Sequence, residues 1–265
     1  MTLVTPTLVE RHIQESSLLA RAWEALQGDP EVQVLLEMSN VTTVKRLLYN
    51  DHGPLHARIV TGSALEIYDI LLKSGIQPSS IMDGIVESED QAKLIVMLAA
   101  YLHDIGNAVH RSNHELIGSI LAKSILDRIL PPILGGDKSL LARLESEVMH
   151  AIYSTSMDVD ALTIEASIVK VADATDMAEG RARLPYKHGK TDIHAVSALS
   201  IKSVEIEPGS IRPLRIRVNM RNPAGLFQVE KVLMPKLMTS LIREYVEIVP
   251  IVMDNSDIHL DPIYP

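Results

Sequence analysis

The sequence predicts a mainly α-helical fold: an all-helical core followed by a small α+β module of β-β-α-β order at the C-terminus. Three observations carry this expectation. Apolar residues recur at helical spacing from residue 8 to about 179, with no convincing strand signal. After the polar, basic stretch 186–192, Ser200 to Glu207 and Leu214 to Met220 alternate apolar and polar at period two. A chain of 265 residues, against about 150 per domain, divides best into two units, 1–188 and 189–265.

The elements follow in order. Residues 8–27 carry Leu8, Ile13, Leu18, Leu19, Trp23 and Leu26 on one face, and Gly28-Asp29-Pro30 stops them. A second helical stretch, 31–49, starts at Pro30. Asp51-His52-Gly53-Pro54 is a turn into a long helix over 55–73. Residues 74–90 read as a loop with a short helical turn. Ser88-Glu89-Asp90 then supplies an N-cap and an acidic first turn for a buried helix ending near Leu102. Further helices are expected from His114 to Leu130, ended by Pro131-Pro132, and over 139–153 and 161–179. In the C-terminal module a helix over 224–243, bent by Pro235, leads to a third strand from Tyr245 to Met253. The open sheet edge would suit a homodimer.

Composition narrows the function. Lys and Arg total 25 against 34 for Asp and Glu, a net charge of −9, which disfavours a nucleic-acid polymer as partner. Nine aromatic residues, seven of them Tyr, leave little for base stacking. An anionic small molecule stays possible, because local charge decides there. Zero cysteines exclude disulfides, iron–sulfur clusters and thiolate zinc sites, so any metal must be held by the ten His and the carboxylates. The N-terminus lacks a basic start followed by an apolar run. The most apolar segment, Leu94 to Leu102, is far short of the ~20 residues that span a bilayer. No membrane association is expected, and a cytoplasmic location is the default.

The sharpest chemical feature is His103-Asp104-Ile105-Gly106. An imidazole and a carboxylate side by side are both ligands for a divalent metal. Consecutive helical residues diverge by about 100°, so such a pair chelates best at a helix end, where Gly106 permits a turn. His56 lies on the preceding long helix, and Asp173 sits on the apolar stretch that begins at Ile164. A carboxylate there is costly unless paired or bound to metal. Alone, His56 reads equally as a capped or exposed helix histidine, and Asp173 as half of a salt bridge.

Taken in order and on separate helices, His56, His103-Asp104 and Asp173 resemble the HD-domain superfamily of metal-dependent phosphohydrolases. The flanking texts agree: Tyr-Leu-His-Asp-Ile-Gly at 101–106, Asn-His-Glu-Leu-Ile-Gly at 113–118 and Ile-Val-Lys-Val-Ala-Asp at 168–173. The texts Asn-Asp-His-Gly at 50–53 and Gly-Arg-Ala-Arg-Leu-Pro at 180–185 resemble an uncharacterised prokaryotic, especially archaeal, subgroup. The resemblance spans about residues 50–185. It implies an all-helical HD-domain core in which His56, His103, Asp104 and Asp173 hold a first metal. His114 matches the histidine that serves a second metal in binuclear members. Where the family places a further histidine this chain has Thr155, and His150 lies about 140° away around a helix. A mononuclear or weakly occupied second site follows, so one or two divalent ions per chain, drawn from Mn, Fe, Ni, Co, Mg or Zn.

Three further features bear on substrate. His110 lies just beyond the His103-Asp104 pair; it reads either as a general acid toward a leaving-group oxygen or as a surface-loop histidine. Arg181, Arg183, Lys187 and Lys190 form a basic run without an acid among them. Arg181 and Arg183 have the fork geometry for phosphate oxygens, the alternative being a solvated hinge. His52 reads as turn structure rather than a ligand.

The expectation is a phosphohydrolase that cleaves a phosphate ester of a nucleotide-like substrate with metal-activated water. Asp104 would bind metal and help orient the nucleophile, and Arg181 and Arg183 would offset developing charge. The alternative is a non-catalytic nucleotide or metal sensor that signals through its C-terminal module.

Overall fold

The computed structural model describes residues 1–178, 193–253 and 260–265. At its centre is α6 (Glu89–Leu102), buried without interruption from Ala92 to Leu102. A helix that is apolar all round must be enclosed on every side. Here α2 (Ser17–Gly28), α4 (Pro54–Lys73), α8 (Lys138–Tyr153) and α9 (Ile164–Thr175) enclose it. Each start has a local cause. Ser88 accepts the Gln91 N–H, Asp137 those of Ser139 and Leu140, and Thr163 that of Ala166.

Several boundaries differ from the sequence pattern. The stretch 8–27 is two helices, α1 (Leu8–Ile13) and α2, because the Ser16 hydroxyl accepts the Leu19 N–H and starts a new helix. Asp29 caps α3 (Pro30–Asn40) with Pro30 in its first turn. That helix does not reach 49: it passes into a π-turn, Val41–Arg46, and Leu48 turns the chain with φ 54°. The expected short helical turn is α5 (Ser79–Met82). α7 (His114–Leu134) runs through Pro131 and Pro132 rather than stopping there. Each proline forgoes the bond to the carbonyl four residues back, and the Gly135 N–H still closes the last turn on the Pro131 carbonyl. The helix ends instead at Gly135, φ 86°. α9 is shorter than 161–179 because its Thr163 cap fixes the start.

The sheet has the order β1 (Thr2–Leu3), β2 (Ile201–Pro208), β3 (Leu214–Met220), β4 (Val246–Val252). β1 and β3 flank β2 antiparallel, and β4 runs parallel to β3 with Ile216 opposite Ile248. A parallel pair requires a crossover. It is supplied by a helical segment in four pieces, Pro223–Gly225, Leu226–Gln228, Val229–Leu233 and Met234–Met238, the third a π-turn. The β-β-α-β order is as expected. The N-terminal strand is an addition, too short to show a period. The sheet edges are less open than expected, since β1 pairs with β2 and Ile263 bridges to Ile248 of β4. Apolar side chains of the sheet, among them Val204, Ile216 and Val218, join the same buried core as the helices.

The N-terminal arm that carries β1 and the crossover segment both tie the sheet to the helical core. α1 crosses α4 at Gly62, where a Cβ would lie 2.8 Å from the Val9 nitrogen. Polar groups fix this arm: Thr2 donates to Glu66, Arg11 pairs with Glu66, and His12 bridges Glu66 and Asp69. On the other side the crossover segment packs on α9, which brings Lys236 to the end of that helix. Among the described residues no helix is long and apolar enough to cross a membrane.

Candidate metal centre

Three helix ends meet at one point. His56 lies in the first turn of α4, His103 and Asp104 directly follow α6, and Asp173 lies in the last turn of α9. After Asp104 the chain tightens into a 3₁₀ turn, Ile105–Ala108, which lies against the start of α7. A Cβ on Gly106 would sit 2.0 Å from the His114 carbonyl oxygen and 2.5 Å from the Gly118 nitrogen. Only glycine allows that approach, and the approach sets His114 Nε2 3.3 Å from Asp104 Oδ1.

Four donor atoms converge. His56 Nε2 lies 3.3 Å from His103 Nε2, 3.3 Å from Asp104 Oδ2 and 3.1 Å from Asp173 Oδ1. His103 Nε2 lies 3.4 Å from Asp104 Oδ2 and 3.5 Å from Asp173 Oδ1. Ligand atoms bonded to one ion at about 2.0–2.2 Å stand about 3.0–3.5 Å apart, the same spacing. The ring protons also fit. His56 Nδ1 donates to Asp176 Oδ2 at 2.6 Å, and His103 Nδ1 donates to the Ala100 carbonyl at 2.8 Å. In the neutral rings both Nε2 lone pairs therefore point at the centre, beside two carboxylate oxygens. Such a set suits a cation.

Electrostatics agree. Burial would raise the Asp104 carboxyl, but His52 and His103 hold it well below the usual carboxylate range. Asp173 is likewise held low, against burial, by Lys236 and His103. Burial would lower His103, yet Asp104 and Asp173 raise it to about 9, which measures how strongly this point attracts positive charge. Groups of three donors able to share an ion, among the described residues, are His56, His103, Asp173 and His52, His56, Asp104. A third, His12, Glu15, Asp69, lies elsewhere and already has the Lys93 ammonium 2.6 Å from Asp69.

His114 lies beside the centre rather than in such a group. Its Nδ1 donates to the Arg111 carbonyl, and its Nε2 accepts from the Arg111 guanidinium at 3.1 Å. The Thr155 hydroxyl donates to the Ile152 carbonyl and lines the adjoining cleft. His150 is turned away, accepting the Leu162 N–H. His110, expected as a candidate general acid, is exposed on the loop with its Nδ1 accepting the Ser112 N–H. It does not line the cleft, because the 3₁₀ turn carries the chain outward after Asn107. Arg181, Arg183, Lys187 and Lys190 lie outside the described residues.

Five residues to which the sequence pattern gave no role at the site support it. His52 donates to Asp104 Oδ2 at 2.6 Å, correcting its assignment to turn structure alone. Asn40 holds it there by accepting the His52 N–H and donating to Asp51. Asn107 donates to Asp104 Oδ1 at 2.8 Å, and Asp176 orients His56. Lys236, from the crossover segment, pairs with Asp173 Oδ2. Asp176 carried a signal, as a second carboxylate one turn after Asp173. Lys236 carried none.

Comparison with known proteins bears on the family of the chain. The HD-domain family model matches residues 65–178, a span that holds His103, Asp104, His114 and Asp173. An uncharacterised protein of Methanocaldococcus jannaschii is 44% identical over 226 residues, covering 85% of this chain and 86% of its own. No solved structure matches.

Proposed function

This chain belongs to the HD-domain family, and we propose that it is a metal-dependent phosphohydrolase cleaving a phosphate ester of a nucleotide-like substrate. The observation that carries the proposal is the convergence of His56, His103, Asp104 and Asp173 on one point, with both ring protons directed away from it. A divalent ion supplies there a Lewis acid for a phosphoryl oxygen and makes water nucleophilic near neutral pH. Two imidazoles and two carboxylates suit Mn, Fe, Co, Ni or Zn better than Mg.

The chain's own residues do the rest. Asp176 fixes His56, and the Ala100 carbonyl fixes His103. Asp104 is clamped by His52 on one oxygen and Asn107 on the other, so its carboxylate cannot rotate. His52 keeps a proton at Asp104 Oδ2, close to where a nucleophile would be oriented. We confine the proposal to one ion, because the Arg111 guanidinium at His114 disfavours a second cation. Arg181 and Arg183 are proposed to contact substrate phosphate; His110 is left out.

The test is a turnover screen of protein loaded with each candidate metal, against phosphomonoesters, a generic phosphodiester and nucleotides. Metal-dependent turnover that Asp104→Ala abolishes supports the proposal. No turnover across the panel with the site loaded contradicts it. Thermal stabilisation by a nucleotide without turnover would instead support the sensor reading. Homodimer assembly belongs to the same proposal and is read by sedimentation velocity.

A further inference from the structure

Beside the metal-ligand cluster lie two adjoining lobes. One, of about 210 Å³, is bounded by Asp104, His114 and Thr155. The other, of about 180 Å³, is more apolar and is bounded by Ala174, Met177, Ala198 and Val232. Arg111 and Lys236 line both lobes, as do Asp173, His52 and Met157. Two cations therefore stand where the lobes meet, facing the cluster of carboxylates.

Lys236 is unusual among them. It is 7% exposed and comes from the crossover segment of the C-terminal module, whereas the metal-ligand candidates come from the helical core. It pairs with Asp173 Oδ2, while Asp173 Oδ1 faces His56 and His103. The two oxygens of one carboxylate thus serve different partners, so an ion on Oδ1 leaves the Lys236 pair intact. An ammonium carries three N–H donors, and one suffices for Asp173. Lys236 lines both lobes, so its remaining donors can serve a ligand there. A buried lysine held by a carboxylate is a fixed point charge with little rotamer freedom left to lose on binding an anion.

We propose that Lys236 is a substrate-binding residue that holds a phosphoryl oxygen at the junction of the lobes, opposite Arg111, with the rest of the substrate in the more apolar lobe. The C-terminal module thereby completes the site instead of only adjoining it. This inference rests on the phosphohydrolase reading for its choice of anion, but its test does not need turnover.

The probe is inorganic phosphate, titrated calorimetrically into Mn-loaded protein, with Mn binding measured separately. Lys236→Met is expected to weaken phosphate by about 10-fold or more, as loss of a charge-assisted hydrogen bond does. Mn affinity is expected to change by less than phosphate affinity, because Asp173 Oδ1 still faces His56 and His103. Lys236→Arg keeps the charge and is expected to recover part of the phosphate affinity, which a folding defect would not. Unchanged phosphate binding in Lys236→Met overturns the proposal, as does loss of Mn and phosphate together, or no phosphate binding by the Mn-loaded wild type. If phosphate binding depends on Lys236 but no ester is turned over, the inference stands and the hydrolase reading falls. If esters are hydrolysed and Lys236→Met leaves KM unchanged, the reverse holds.

Discussion

Asp176 accepts a hydrogen bond from Nδ1 of His56 at 2.6 Å, while Asp173, one turn earlier, meets Nε2 of the same ring at 3.1 Å. One imidazole is held between two carboxylates of a single helix end. The outer carboxylate fixes the tautomer and so aims the lone pair inward. Removing it frees the ring without touching a ligand atom. Asp176→Ala is expected to weaken Mn binding by about 10–100-fold, measured by calorimetry, with helical circular dichroism unchanged. Equal affinity would show that His56 needs no such partner.

Gly106 makes a different prediction. A methyl group there meets backbone atoms of His114 and Gly118, which cannot rotate aside. Gly106→Ala is expected to destabilise the fold by about 1–3 kcal/mol or more, read by urea denaturation, and to weaken metal binding as the turn shifts.

The N-terminal arm responds to pH through His12 and Glu66. Burial would lower His12, but hydrogen bonds to Asp69 and Glu66 raise it above 6.5. A raised folded value gives stability that is complete below 6.5 and lost as pH climbs through it. Burial would raise Glu66, yet His12, Thr2 and Arg11 lower it to about 2. That stability is present above 4.5 and lost as pH falls toward about 2. Lys93 and Asp69 share the network, and Glu15 lies at its rim. The stability difference between wild type and His12→Gln is therefore expected to be largest between about 4.5 and 6.5 and to shrink as pH rises through the raised His12 value. A difference that is flat with pH would remove His12 from the arm's ion pairing.

Metal removal should also register in stability. A ligand at about 100 times its Kd adds about 2.7 kcal/mol. Chelation is expected to lower the Tm of the wild type by several degrees and to leave His103→Ala unmoved. An equal response in both would place the bound ion elsewhere.

The helical core was legible from its apolar period, and His103-Asp104 and Asp173 as local anomalies, while His56 was legible only through the order of the whole set. His103-Asp104 interrupts an apolar helix, and Asp173 sits on an otherwise apolar face. The β-β-α-β order was legible from the alternation over 200–207 and 214–220 and from the helical stretch bent at Pro235. What escaped is what depends on distant chain. Lys236 meets Asp173 across 63 residues, and no local pattern marks an ion pair of that span. His52 looks like a turn until Asn40 is seen to hold its backbone against the helix end. β1 is two residues long, too few for a period of two to appear. Pro131 and Pro132 mislead because the packing of α7 along α8 outweighs the two ladder bonds they forgo.

The central claim is that His56, His103, Asp104 and Asp173 together hold a divalent ion. Elemental analysis of purified wild type, His103→Ala and Asp104→Ala tests it most directly. About one equivalent of a divalent metal in the wild type, lost from both variants while they remain folded, is the predicted result. The same metal content in all three would contradict the account.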